Sequence, residues 1–365
     1  MDKDRNVLFD IAKGIGIVLI VAGHARIPIL TFLSLFHVPL FFIISGYFIK
    51  DCYFENTNNI FIYIKKRLKT LWVPFFLFNT VFVLLNNLFI RINIYTTNPE
   101  FLTGSIGNTY GLNELLSLKA ILSKICYFFL FAYQTPLGGA TWFFRVLFWA
   151  SVFYIVLSSV LKKLIKTEFV FNILRGIFCF IVLLSGFYMA TVDLRFYGIG
   201  ITCSMLICLF LGVIYRKFEN NIKINIWTGL LSLLVLIMVL KYNPSGFCIS
   251  ANKYQNPLLL ILSSVSGFWL VLYISKIFLK SDVFTKIFFY LGQHTVSILC
   301  LHLLCFKLIT FLIVYLYNLP DYRLASFPVY NINNYWWIVY VIAGCILPVL
   351  FSFLYKKLVA KIIRK

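Results

Sequence analysis

The sequence predicts an all-α, polytopic membrane protein of about ten transmembrane helices with both termini in the cytoplasm. Composition, the lengths of the apolar runs and the placement of cations each point there. Of 365 residues, 61% are hydrophobic and only 12% charged, with a mean hydropathy of +0.92. Soluble domains carry far more charge and less apolar surface. A bilayer core about 30 Å thick is crossed by about 20 apolar helical residues, because every backbone polar group must be satisfied within the helix once water is absent. Forty Phe and 22 Tyr suit lipid contact and the interfacial belts.

Ten runs meet that length criterion, at roughly 7–25, 30–49, 70–90, 141–161, 169–189, 197–215, 225–240, 257–279, 290–317 and 335–355. The ninth is interrupted near its start by Gly292, Gln293 and His294. With the N-terminus inside, 21 of the 33 Lys and Arg fall on inside segments and inner span ends, and 8 fall outside. Lys13, Arg145, Arg175 and Lys307 lie within spans. This bias obeys the positive-inside rule, so most of the formal +21 charge serves orientation rather than nucleic-acid binding. The first run contains Asp10, Lys13 and His24 and has no small-residue cleavage pattern, so it reads as a retained helix and not a signal peptide.

The outer connection at about 92–140 is polar around Asn98 to Asn113. Its semi-apolar piece at 115–133 suits a helix lying on or dipping into the membrane. No tandem repeat, low-complexity tract or appended soluble domain is visible, so residues 1–365 read as a single integral-membrane domain. Nine cysteines, mostly inside spans and without a CxxC pair, read as buried small residues rather than a metal site or disulfide framework. No metal and no bound cofactor is expected.

Ionisable groups at the bilayer centre cost at least ~2.5–3.5 kcal/mol each and persist where they face protein or water. At about 100° per residue, Asp10, Lys13 and His24 share roughly one face of the first helix. Lys13 and His24 lie about 16 Å apart along the axis, suited to opposite ends of one long ligand. Asp10 and Lys13 can pair at i, i+3, and Asp10 alone reads equally as part of a neutralised interfacial pair. An unperturbed imidazole titrates near neutrality, so a histidine at position 24 suits general-base work, although a wetted or hydrogen-bonded histidine is the commoner reading of such a residue in isolation. In the second span Pro39 frees a carbonyl and Gly46 permits close helix approach, with His37 near the outer interface.

The run Lys65-Lys66-Arg67-Leu68-Lys69 precedes the third span. It reads as a topology determinant touching anionic lipid, or as a cytoplasmic site gathering phosphates. Late in the chain, His294 and His302 are eight residues apart and need not share a face. His302 lies deeper, with Lys307 further along, and a satisfied core histidine is the bland alternative for either.

Several of these segments form a pattern: Asp10-Ile11-Ala12-Lys13-Gly14-Ile15-Gly16-Ile17, Val21-Ala22-Gly23-His24, Phe36-His37-Val38-Pro39-Leu40-Phe41-Phe42-Ile43-Ile44-Ser45-Gly46-Tyr47, Trp142-Phe143-Phe144, and Leu291-Gly292 through His302. Together they resemble the acyltransferase-3 family of integral-membrane acyltransferases, particularly sugar O-acetylases of the fucose-acetylase type. The resemblance implies about ten helices around a site entered by acyl-CoA, acetyl-CoA above all, from the cytoplasm. It further implies transfer of the acyl group to a hydroxyl of an envelope glycan or a lipid-linked sugar precursor, in the inner (plasma) membrane. By that resemblance His24 is the catalytic histidine, with Asp10 beside it in the motif, and Lys13, Lys66, Arg67 and Lys69 orient or neutralise the donor. Where many members carry Arg-x-x-Arg, this chain departs: either Lys66 and Lys69 replace the arginines, or Thr70 stands in the second position.

A thioester is an activated donor, so the needs are to deprotonate a hydroxyl and to hold two substrates in line. Arg145 and His302 are candidates to stabilise the oxyanion, with Trp142 beside them as an acceptor contact. No Gly-x-Ser-x-Gly element appears, which favours direct transfer over a serine acyl-enzyme. A transporter or glycan flippase using Asp10, Lys13 and His24 as a relay is the alternative; it lacks a detectable repeat and a second intramembrane carboxylate. A non-catalytic membrane sensor is a third reading. The sequence leaves the oligomeric state open.

Overall fold

The computed structural model describes residues 7–97, 114–330 and 335–363. The polar stretch at 98–113 and the terminal cations Lys3, Arg5, Arg364 and Lys365 lie outside the described residues. The chain is helical throughout: α1 (Val7–His24), α2 (Leu30–Ser34), α3 (His37–Tyr47), α4 (Thr57–Arg67), α5 (Val73–Leu84), α6 (Asn86–Arg91), α7 (Leu118–Phe129) and α8 (Trp142–Leu164). Then come α9 (Glu168–Thr191), α10 (Ile199–Phe218), α11 (Ile226–Tyr242), α12 (Pro257–Phe278), α13 (Asp282–Gln293), α14 (Thr295–Leu316) and α15 (Trp336–Ile363). Among the described residues nine helical segments are long and apolar enough to cross a membrane, and α11 is a shorter apolar helix of 17 residues. The protein is therefore an all-α, multi-pass membrane protein.

Six of the ten apolar runs coincide with single observed helices to within a few residues; the second is divided into α2 and α3, the helix of the tenth runs on to Ile363, and the third and ninth differ more. The third differs because its helix begins in polar sequence. Asn56 caps it, its side chain accepting from the Asn59 amide at 2.8 Å, a contact that stabilises a helix start by about 1 kcal/mol. The helical rod then runs to Leu84 through a π-turn at Leu68–Trp72. The basic cluster consequently lies within the rod and not ahead of it. The ninth run is two helices, with His294 as the break between α13 and α14. The semi-apolar piece becomes α7, whose Leu118, Leu122 and Phe129 are exposed while Phe128 is buried.

The chain forms two compact units. The first comprises Met1–Gly16, Ile29–Trp72 and Phe143–Gln293; the second comprises Ile17–Pro28, Val73–Trp142 and His294–Lys365. Within the first, α3 packs on α10, α10 on α9, and α11 on α12. The α3–α10 crossing is a backbone-to-backbone contact: a Cβ on Gly46 would strike the Leu209 carbonyl, and one on Gly212 would strike the Ile43 carbonyl. Neither carbonyl can yield without moving its helix, as at the small-residue crossings usual in membranes. Gly212→Leu is expected to destabilise the fold by about 3 kcal/mol or more, read as a lower melting temperature and poorer yield of detergent-solubilised protein. On α9 the buried stripe Phe171, Arg175, Cys179 and Leu183 recurs every four residues, while Ile173, Ile177, Ile181 and Leu184 form the exposed face. In the second unit α14 packs on α15, and α5 on α7.

Candidate active site

The second unit contains a histidine pair. His24 is the last residue of α1, and His302 is on the third turn of α14, completely buried. The Nε2 of His302 lies 3.0 Å from the Nδ1 of His24, with ring centroids 4.9 Å apart. The other ring nitrogen of His302, Nδ1, lies 2.8 Å from the Ile298 carbonyl oxygen, one turn back on the same helix.

These two distances set the protons. A carbonyl oxygen only accepts, so Nδ1 of neutral His302 carries the hydrogen and Nε2 is the acceptor. The Nδ1 of His24 must then donate to it, which puts the His24 lone pair on Nε2. The pair therefore has a defined proton order, in which the tautomer of His302 is set by the helix backbone and that of His24 by His302. His24 also ends α1, where the terminal carbonyls stabilise positive charge developing on the ring.

The surroundings hold His302 still. The Phe306 ring meets it edge-on at 5.6 Å, and Phe306 packs on Tyr340 at 5.3 Å, whose hydroxyl is 2.9 Å from that of Thr310. Lys307, almost fully buried, donates to the carbonyls of Leu324 (3.1 Å) and Ser326 (2.6 Å). That cation pins the segment after α14. Trp142, half-buried, opens α8 after a turn ordered by buried Asn79. The Asn79 amide accepts from the Thr135 backbone at 2.8 Å and donates to the Thr141 hydroxyl at 3.1 Å.

The first unit gathers the proposed donor residues. Lys13 pairs with buried Asp10 at 3.2 Å and lies 4.8 Å from the Phe48 ring centroid. Arg67 turns inward: Nη2 donates to the Ser45 hydroxyl at 2.6 Å and Nε to the Tyr63 hydroxyl at 2.8 Å. Lys66 and Lys69 are exposed, Lys66 over the Tyr53 ring at 5.8 Å. Of the two registers open for Arg-x-x-Arg, it is therefore Arg67 that enters the unit, Thr70 standing three residues on, and the lysines face out. A π-turn, Leu68–Trp72, follows directly after Arg67; such turns are frequent at functional sites. Arg145, also in this unit and 9% exposed, stacks over Tyr197 at 5.5 Å.

Ser45 and Tyr47 stand in the second-span motif, but sequence reasoning assigned them no partner, and it did not find Tyr63 or the layer formed by Arg216 on Asp51 (2.8 Å), Lys217 on Glu168 (2.6 Å) and Tyr47 on Glu219 (2.8 Å). Nothing in a single sequence pairs residues so far apart. Among the described residues, no group of three or more His, Cys, Asp or Glu is placed to hold a metal ion.

Comparison with protein families decides the class. The Acyl_transf_3 family, described as an acyltransferase domain, matches residues 6–356. The chain belongs to the acyltransferase-3 family. It is accordingly a membrane enzyme that transfers acyl groups other than aminoacyl groups. No curated protein and no solved structure matches this acyltransferase. The family match extends over both compact units, so the histidine pair and the cationic layer both lie within the matched region.

Proposed function

We propose that this acyltransferase moves an acetyl or other short acyl group from acyl-CoA to a hydroxyl of a cell-envelope glycan or lipid-linked sugar, in the inner (plasma) membrane. The observation that carries the reading is the contact of 3.0 Å between His302 and His24, because it presents a histidine lone pair as a general base. His24 Nε2 takes the proton from the sugar hydroxyl as the oxygen attacks the thioester carbon. The C–O bond forms, the tetrahedral intermediate collapses, and the C–S bond breaks. The CoA thiolate takes the proton back from His24, so no net proton is left on the enzyme. Arg145 is a candidate to stabilise the oxyanion, Trp142 to contact the acceptor, and Asp10 to hold Lys13 for the donor.

Lys13, Lys66, Arg67 and Lys69 supply the cations for the donor's phosphates. Exposed lysines are screened by solvent and salt, so Arg67, inward and hydrogen-bonded, is expected to contribute most. Exchanging Lys66, Arg67 and Lys69 together for Gln should raise the KM for acyl-CoA about tenfold or more, with the larger part of the loss reproduced by Arg67→Gln alone. Steady-state kinetics in detergent or nanodiscs reads this, and an unchanged KM assigns the cluster to lipid contact and orientation. The reading as a whole is tested by mass spectrometry of cell-surface glycans with and without the chain. Loss of one acetyl-sized increment is expected; an unaltered glycan profile would overturn it.

A further inference from the structure

Arg175 is a cation eight residues into the 24-residue spanning helix α9, and the proposed acyl transfer does not use it. Its side chain is completely buried, and among the described residues no carboxylate lies within ion-pair distance of it. One hydrogen bond is made, from Nη2 to the Asn172 side-chain oxygen at 2.7 Å. The guanidinium carbon is boxed by the rings of Phe171 (4.6 Å), Tyr154 (5.5 Å), Phe54 (5.7 Å) and Phe210 (5.8 Å). Such faces attract a cation, but they accept none of its in-plane N–H groups in the way an anion does.

Four buried polar atoms there make no hydrogen bond of ordinary geometry: Nε and Nη1 of Arg175, the Tyr154 hydroxyl and the Ser158 hydroxyl. Tyr154 and Ser158 are one turn apart on α8, and both are fully buried. Their hydroxyls are near neighbours, and a looser hydrogen bond between them occupies one of the two hydroxyl hydrogens. The Arg175 Nε and Nη1 hydrogens, and the one hydroxyl hydrogen that the Tyr154–Ser158 contact leaves over, therefore have no acceptor among the described residues. Buried polar groups are otherwise satisfied almost without exception, and an intramembrane arginine ordinarily has a partner.

We infer that Arg175, Tyr154 and Ser158 form a binding site for a small monovalent anion of halide size, chloride in the cell. One guanidinium supplies a single positive charge, which a monovalent anion neutralises. A phosphate would bring further charge and four oxygens into a space where every lining side chain is already buried. The polar string Glu168–Lys217–Asn172–Arg175 offers an entry route. Glu168 is exposed and pairs with Lys217, Lys217 lies 3.3 Å from the Asn172 oxygen, and that oxygen accepts from Arg175. Which acyl group or acceptor the enzyme uses has no bearing on this site.

The test is thermal unfolding of the full chain in nanodiscs, titrated with sodium chloride or bromide against sodium gluconate at constant ionic strength. Wild-type protein is expected to gain melting temperature saturably with either halide, as a ligand of the native state must produce. Tyr154→Phe combined with Ser158→Ala removes two donors without removing packing, and should shift the halide midpoint about tenfold upward. Arg175→Met should abolish the halide response; if that variant fails to fold, the Tyr154 and Ser158 substitutions still decide. Bromide-soaked crystals should show an anomalous peak beside Arg175 Nε. Equal melting in halide and gluconate, a halide response unchanged in the double variant, or a bromide map empty at Arg175 would each overturn the site and leave Arg175 to Asn172, the ring faces and water.

Discussion

Replacing His24 with alanine is expected to lower acyl transfer by about 10²–10⁴-fold, the usual worth of a positioned general base, with membrane abundance and melting temperature close to wild type. The stability half rests on position. His24 is the terminal residue of α1 and only partly buried, so its truncation leaves the helix core unaltered. The activity half rests on chemistry, since a sugar hydroxyl is too weak a nucleophile until its proton has somewhere to go. Raising the pH should restore part of the rate in His24→Ala, because hydroxide replaces the missing base. Quantifying acylated product at matched protein levels checks both halves. Wild-type transfer by the variant would remove His24 from the mechanism.

The second large effect is expected at His302, which in the proposed mechanism acts through His24. In His302→Ala the Nδ1 hydrogen of His24 loses its acceptor at 3.0 Å, and the ring becomes free to turn and to change tautomer. Misplacement of a reacting group by about 1 Å can cost about 10²-fold, and a loss of that order is expected in kcat with little change in the donor KM. His302→Gln should recover part of it, since an amide oxygen also accepts from Nδ1–H. A purely structural histidine predicts otherwise: loss tracking the melting temperature, and no advantage of Gln over Ala. Comparing kcat, KM and melting temperature across the two variants separates these cases.

Much of the fold was legible because the bilayer imposes a length on every span, and that length can be read residue by residue. The helices that depart from the apolar runs are those whose ends are set by something other than apolarity. Asn56 starts α4 in polar sequence, and His294 divides a run whose hydropathy continues across it. The candidate site was legible as a set of residue types and not as an arrangement. Asp10 and Lys13, three residues apart, pair as their spacing predicts, because helix geometry alone brings them together. His24 and His302 are 278 positions apart, and no periodicity connects them. The register of the basic cluster was equally closed to sequence reasoning, because which side of the helix faces inward is decided by Ser45, a residue of another helix that receives Arg67.

The proton order in the histidine pair ends at the Ile298 carbonyl, and that terminus is main chain. Side-chain exchange at position 298 therefore leaves the base intact so long as α14 stays helical there, and Val or Leu should serve as well as Ile. The vulnerable property is the helix itself. Any change that opens the turn between 298 and 302 removes the carbonyl that decides which nitrogen of His302 is protonated, and with it the direction in which the pair can relay a proton. The site's polarity is inherited from the direction of the polypeptide.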